Sequence, residues 1–215
     1  YGHYDHYQPE KMRVIPPGTA LDAFHPADGS ERDSAIFREL GRFLLNPDRP
    51  IILALSRPDT RKNIVTLLEA YGESEDLQAA ANLVIIAGNR DDIRDMESEV
   101  QEVLTDILLT IDQYDLYGKV AYPKAHRPND VPVLYRLAAV SQGVFINPAL
   151  TEPFGLTLIE AAASGLPIVA TEDGGPRDIT ANCHNGYLID PLDKQDIIKT
   201  LLKILSDASA WRDLS

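Results

Sequence analysis

The stretch Ile51-Ile-Leu-Ala-Leu-Ser-Arg-Pro-Asp-Thr-Arg-Lys-Asn63 decides the fold. Its first five residues form an unbroken apolar run too short for a helix, which with Ser56 predicts a strand buried on both faces. A basic turn follows, and then a segment of helical period from Asn63 to Glu73. Strand, polar turn and helix make the repeating unit of a parallel sheet. The unit recurs downstream: Leu83 to Ala87, Lys119 to Tyr122, Gly143 to Asn147, Pro167 to Ala170 and Gly186 to Ile189 all read as strands. Helices are predicted to start near Val131, Pro153, Pro176 and Asp193, where Asp130, Glu152 and Asp193 suit the unpaired N–H groups of a first turn. Ile93, Met96, Val100, Val103, Leu104, Ile107, Leu108 and Ile111 recur at three- and four-residue spacings and predict one long helix with an apolar stripe. The fold class is therefore α/β, a doubly wound parallel sheet. Residues 1–50 lack this rhythm: Met12 to Ile15 reads as one strand, Pro16-Pro17-Gly18 as a turn, and the whole as the end of a preceding domain plus a connector to a domain over 51–215. No initiator Met is present, so a piece of a longer protein is expected.

The 215 residues carry 20 Lys and Arg against 33 Asp and Glu, a formal charge of −13. With 44% hydrophobic residues this is an ordinary globular composition, and a sequence pI near 4.7 argues against nucleic acids and anionic membrane surfaces as partners. No run approaches the roughly 18 apolar residues of a membrane span, and the N-terminus lacks the basic flank and apolar core of a signal peptide. The single cysteine, Cys183, cannot form an internal disulfide and reads as a small buried residue, which together favour a cytoplasmic setting. His3-Tyr-Asp5-His6 lacks a fourth metal ligand and reads as surface, so no metal is expected.

In a doubly wound sheet, ligands bind beyond the carboxyl ends of the strands. After the first strand stand Arg57, Arg61 and Lys62, cations placed beside a helix N-terminus whose dipole favours anions. A phosphate between them and the helix explains that placement, and a solvated basic turn explains it equally. After the fourth strand comes Thr151-Glu-Pro-Phe-Gly-Leu-Thr-Leu-Ile-Glu160. Glu160 lies amid Leu158, Ile159, Ala161, Ala162 and Ala163, and a carboxylate there needs an internal bond or a ligand such as a sugar hydroxyl. Gly155 lets the N–H groups of Phe154, Gly155 and Leu156 approach an anion closely. Gly174-Gly175-Pro176 opens another helix at the same edge and can bring backbone to a ligand, whereas the lone His126 could line a pocket but reads rather as an exposed loop residue. Neither a Walker motif nor Gly-x-Gly-x-x-Gly occurs.

Glu152 and Glu160, with Arg57 and Lys62 after an earlier strand, resemble the donor half of retaining glycosyltransferases with two Rossmann-like domains, the GT-B fold. Leu55-Ser-Arg-Pro-Asp59, Gly88 to Ile93, Ile111 to Gly118, Leu134 to Ala138, Gly143 to Ala149, Glu152 to Ala163 and Gly174-Gly-Pro176 are similar, more narrowly, to the sucrose-phosphate synthase family. That resemblance implies transfer of glucose from UDP-glucose to fructose 6-phosphate with retained configuration, with no cofactor and no catalytic metal. It implies catalytic roles for Arg57 and Lys62 on the diphosphate and for Glu152 on the glucosyl hydroxyls. Glu160 would hold the ribose, the amides around Phe154, Gly155, Leu156 and Thr157 the diphosphate and sugar, and the Pro123 to Asp130 loop the base. The acceptor-binding half of such enzymes has no counterpart in the sequence, so donor binding without turnover is expected. Sucrose synthase, an ADP-glucose transferase and a silent nucleotide-sugar module remain open. The acidity is concentrated: Asp91 to Asp115 holds nine acids and one base, whereas Ser56 to Asn63 holds three bases and one acid.

Overall fold

The computed structural model describes residues 18–215. Met12 to Ile15, Pro16, Pro17 and the His3 to His6 run lie outside them. Six parallel strands, β1 (Ile51–Ser56), β2 (Asn82–Ala87), β3 (Val120–Ala121), β4 (Val144–Asn147), β5 (Ile168–Thr171) and β6 (Gly186–Ile189), form one sheet in the order β3-β2-β1-β4-β5-β6. Nine helices alternate with them among the described residues: α1 (Ala35–Leu40), α2 (Ile64–Glu73), α3 (Glu75–Ala80), α4 (Ser98–Gln113), α5 (Asp130–Val140), α6 (Leu156–Ala163), α7 (Pro176–Cys183), α8 (Lys194–Leu205) and α9 (Ala208–Leu214). None of these is long and apolar enough to cross a membrane.

The strand pleat sorts the core into two layers. Ile52, Ala54, Leu83, Ile85, Val144 and Ile146 face one side, where α2, α3, α4 and α8 cover them with Leu67, Leu68, Leu77, Leu104, Ile107 and Leu201. Ile51, Leu53, Val84, Ile86, Phe145 and Ile168 face the other, under Ile36 and Leu40 of α1, Leu134 and Tyr135 of α5, and Leu158 of α6. Side chains alternating between two covered faces explain why each strand reads as a continuous apolar run.

Several expectations need correction. The predicted helix over Ile93 to Ile111 is broken: Asp92 caps a separate 3-10 turn at Ile93–Asp95, Met96 is extended, and α4 begins at Ser98. Ile93 and Met96 still pack on the core from the preceding turn, so the apolar spacing runs on across the break. Leu108 is 45% exposed and lies off the buried stripe. α6 starts at Leu156 and not near Pro153, because Gly155, at φ +84°, breaks the chain direction just before it. Ser74 ends α2 and caps the unforeseen α3 by accepting from Leu77 N. Cys183 is exposed at the end of α7. Asp193 caps α8 as expected, accepting from Gln195 N and Asp196 N.

Residues 18–50 are tied to this body. Arg136 on α5 donates from Nε to Glu31 Oε1 at 3.1 Å and from Nη1 to Ala23 O at 3.2 Å. Glu31 also accepts from Asp28 N and Gly29 N, so a carboxylate only 2% exposed is fully engaged.

Candidate functional site

In the strand order, consecutive connections diverge between β1 and β4, which opens a crevice at their carboxyl ends. A cavity of about 440 Å³ lies there, lined by Ser56, Arg57 and Lys62 after β1, by Asn147, Glu152, Phe154, Leu156 and Thr157 from β4 onward, and by His126. Residues 90 positions apart in sequence thus share one cavity because β1 and β4 are hydrogen-bonded neighbours.

The loop between β1 and α2 builds the basic side. Asp59 accepts from Arg61 N and pairs with the Arg61 guanidinium at 2.7 Å, which holds Arg61 outside the cavity. Those bonds hold the Asp59 carboxyl at about 2, the side-chain bond to Arg61 being the largest cause. Arg57 is exposed at the cavity wall, and no carboxylate pairs with it among the described residues. Asn63, in the left-handed conformation at φ 56°, ends the turn. Its amide donates to Pro148 O at 3.1 Å and to Pro191 O at 2.8 Å, while Leu150 N donates to Arg61 O. The loops after β1, β4 and β6 are thereby locked together.

Glu152 faces the basic loop. Lys62 Nζ donates to Glu152 Oε2 at 2.7 Å, Asn147 Nδ2 to the same oxygen at 3.1 Å, and Gly155 N to Oε1 at 3.2 Å. Burial would raise the Glu152 carboxyl, but the bonds to Lys62 and Asn147 and the Lys62 charge outweigh it and hold the carboxyl below its ordinary value. Glu152 is set by the Gly174-Gly175 loop: Glu152 N donates to Asp173 O and Gly175 N to Glu152 O at 2.9 Å. Gly174 and Gly175 therefore allow close backbone approach to this loop. Beyond it, the N–H groups of Phe154, Leu156 and Thr157 have no acceptor among the described residues, and the side chains of Phe154 and Leu156 are exposed at the rim.

Glu160 stands apart from the cavity lining. Its Oε2 accepts from Tyr135 OH at 3.1 Å, and burial, only partly opposed by that bond, raises its carboxyl above the ordinary value. The ionised form is therefore less favourable in the folded chain than in the unfolded one, and this penalty is present above the folded-state value and gone at acid pH. Glu160→Gln is expected to raise the urea midpoint at pH 7, and the gain should vanish as the pH falls below 4.5, the group's ordinary value.

His126 was read as exposed and instead lines the cavity, half-buried. Asn89 clasps its backbone, Nδ2 to His126 O at 3.1 Å and His126 N to Oδ1 at 2.8 Å. The bonds of Asn63, Asn89 and Asn147 went unread: Asn63 ends the turn before α2, Asn89 follows β2 and Asn147 ends β4, and each side-chain amide bonds two groups at once. Among the described residues no three His, Cys, Asp or Glu side chains cluster as metal ligands.

An open parallel sheet with a crevice at the β1/β4 divergence that carries charged side chains defines the Rossmann-like half of a GT-B enzyme. The family described as "Glycosyl transferases group 1" matches residues 37–215, and the chain belongs to it. Within that family it is 52% identical, over 97% of its length, to a probable sucrose-phosphate synthase from Vicia faba. The chain spans about a fifth of the length of the curated relatives it matches, 21% in that case. Among solved structures it resembles sucrose-phosphate synthase from Thermosynechococcus elongatus at a TM-score of 0.76 and 29% identity, covering 94% of this chain and 45% of that one. Anabaena HepE, solved in complex with UDP-glucose, shares the fold at a TM-score of 0.76 and 19% identity, covering 96% of this chain and 51% of that one.

Proposed function

We propose that the β1/β4 cavity binds a nucleotide sugar, UDP-glucose, as the donor site of a retaining transferase that makes sucrose 6-phosphate from fructose 6-phosphate. The observation that carries the reading is the convergence on one cavity of Arg57, the Lys62–Glu152 pair and three backbone amides that have no acceptor among the described residues. Arg57 and Lys62 take the diphosphate, with the amides of Phe154, Leu156 and Thr157 at the N-terminus of α6. Glu152 takes the glucosyl hydroxyls, and Glu160, whose Oε1 has no partner among the described residues, the ribose. The base lies in the loop held by Asn89 and His126. The likeness to sucrose-phosphate synthases supports glucose as the sugar and fructose 6-phosphate as the acceptor, the latter bound by a second domain. In the reaction the bond from glucosyl C1 to the diphosphate oxygen breaks, C1 bonds the acceptor hydroxyl on the same face, and that hydroxyl's proton passes to the departing diphosphate. Charge builds on the leaving group, and Arg57 and Lys62 stabilise it there. Residues 51–215 form the donor domain, with the segment before them as connector, in a cytoplasmic protein.

Calorimetry on the chain with UDP, UDP-glucose, ADP and ADP-glucose tests this. UDP compounds are expected to bind, and Arg57→Ala to weaken UDP about a hundredfold while changing uridine binding little. Equal losses for UDP and uridine would remove Arg57 from the diphosphate, an ADP preference would change the donor, and no binding would leave a silent module.

A further inference from the structure

The two side chains given separate tasks in the donor site are bonded to each other. Lys62 Nζ lies 2.7 Å from Glu152 Oε2, with the side chains 22% and 13% exposed. The ammonium sits on a flexible four-carbon stem and can swing to a new acceptor. The carboxylate cannot follow it, because Gly155 N holds Oε1 and Asn147 Nδ2 holds Oε2. Asn147 is itself fixed: it is buried, and its Oδ1 accepts from Ala149 N at 3.2 Å. A diphosphate beside Arg57 offers Lys62 more negative charge than one carboxylate does.

Resting on the donor-site reading, we propose a relay in which the diphosphate draws Lys62 away from Glu152 and so frees Oε2, kept in place by Asn147, for the hexosyl hydroxyls. Asn147 is a positioning residue in this scheme. Recognition is then ordered: the sugar subsite becomes available only once the diphosphate is bound, and glucose alone finds its acceptor already taken by Lys62.

The test is calorimetry with UDP, UDP-glucose and glucose. Glu152→Gln releases Lys62, so UDP is expected to bind about fivefold more tightly, while UDP-glucose gains nothing over UDP. In the Lys62→Ala background the same substitution should give no such gain, which separates release of Lys62 from mere removal of a negative charge. Asn147→Ala should lower the ratio of UDP-glucose to UDP affinity about tenfold, whereas a purely structural loss weakens both and keeps the ratio. Weaker or unchanged UDP binding in Glu152→Gln, a gain that persists without Lys62, or a constant ratio in Asn147→Ala would overturn the relay and leave the donor site standing. Failure of the unaltered chain to bind UDP would overturn the donor site and the relay with it.

Discussion

Gly174→Ala is expected to destabilise the chain by about 3 to 4 kcal/mol and to remove any gain of UDP-glucose over UDP in affinity. Gly174 sits at φ +101°, and an added Cβ would stand 2.3 Å from the carbonyl oxygen of Glu152. That oxygen cannot move aside, because Gly175 N bonds it at 2.9 Å and Glu152 N is bonded to Asp173 O. Relief of the overlap must shift Glu152, and with it the acceptor of Lys62. Gly165→Ala is the control: φ is +71° there too, but nothing lies within 4 Å, so the conformational term alone should appear, about 1 kcal/mol. Urea unfolding with UDP and UDP-glucose calorimetry on both variants decides the matter, and equal destabilisation would show that the contact with Glu152 contributes nothing.

The second large effect lies far from the cavity. Glu31→Ala should destabilise by about 3 to 5 kcal/mol, because it leaves the Arg136 guanidinium buried without its counter-charge. The Arg136 side chain is 11% exposed and that of Glu31 1%, and the carboxylate also ends the chain turn at Asp28 and Gly29. Replacing both partners, Glu31→Leu with Arg136→Leu, should cost less than the single change. Urea midpoints check the order, and limited proteolysis ahead of α1 should accelerate in Glu31→Ala because residues 18–33 lose their anchor on α5. A single variant as stable as the double would mean that the pair is solvated in solution.

Much of the architecture was legible because both faces of the sheet are covered. Ile51 to Ala54 and Leu83 to Ala87 must be apolar at every position, so the strands announce themselves, although their order in the sheet was not read. The place of the crevice was legible for the same reason, since strand ends are fixed once strands are. What failed was local geometry that one residue controls. Gly155 at φ +84° delays α6, and Asp92 capping its own turn splits the helix read through Ile93 and Met96. Partnerships across the fold were beyond reach too. Nothing near Lys62 names Glu152 as its partner, nothing near Glu160 names Tyr135, and nothing near Gly174 shows that the carbonyl it must clear belongs to Glu152. Such pairings are set by strand order and register, which local sequence does not encode.

Asn63 carries a consequence for how a ligand is met. With one amide on Pro148 O and Pro191 O, and its own carbonyl starting α2, it joins three loops to a helix whose Leu67 is fully buried. These bonds brace the loops beside the crevice against one another and against α2. A guest finds a socket already shaped, so little loop entropy is lost on association, and discrimination among guests rests on fit and charge instead of on folding a loop around each one.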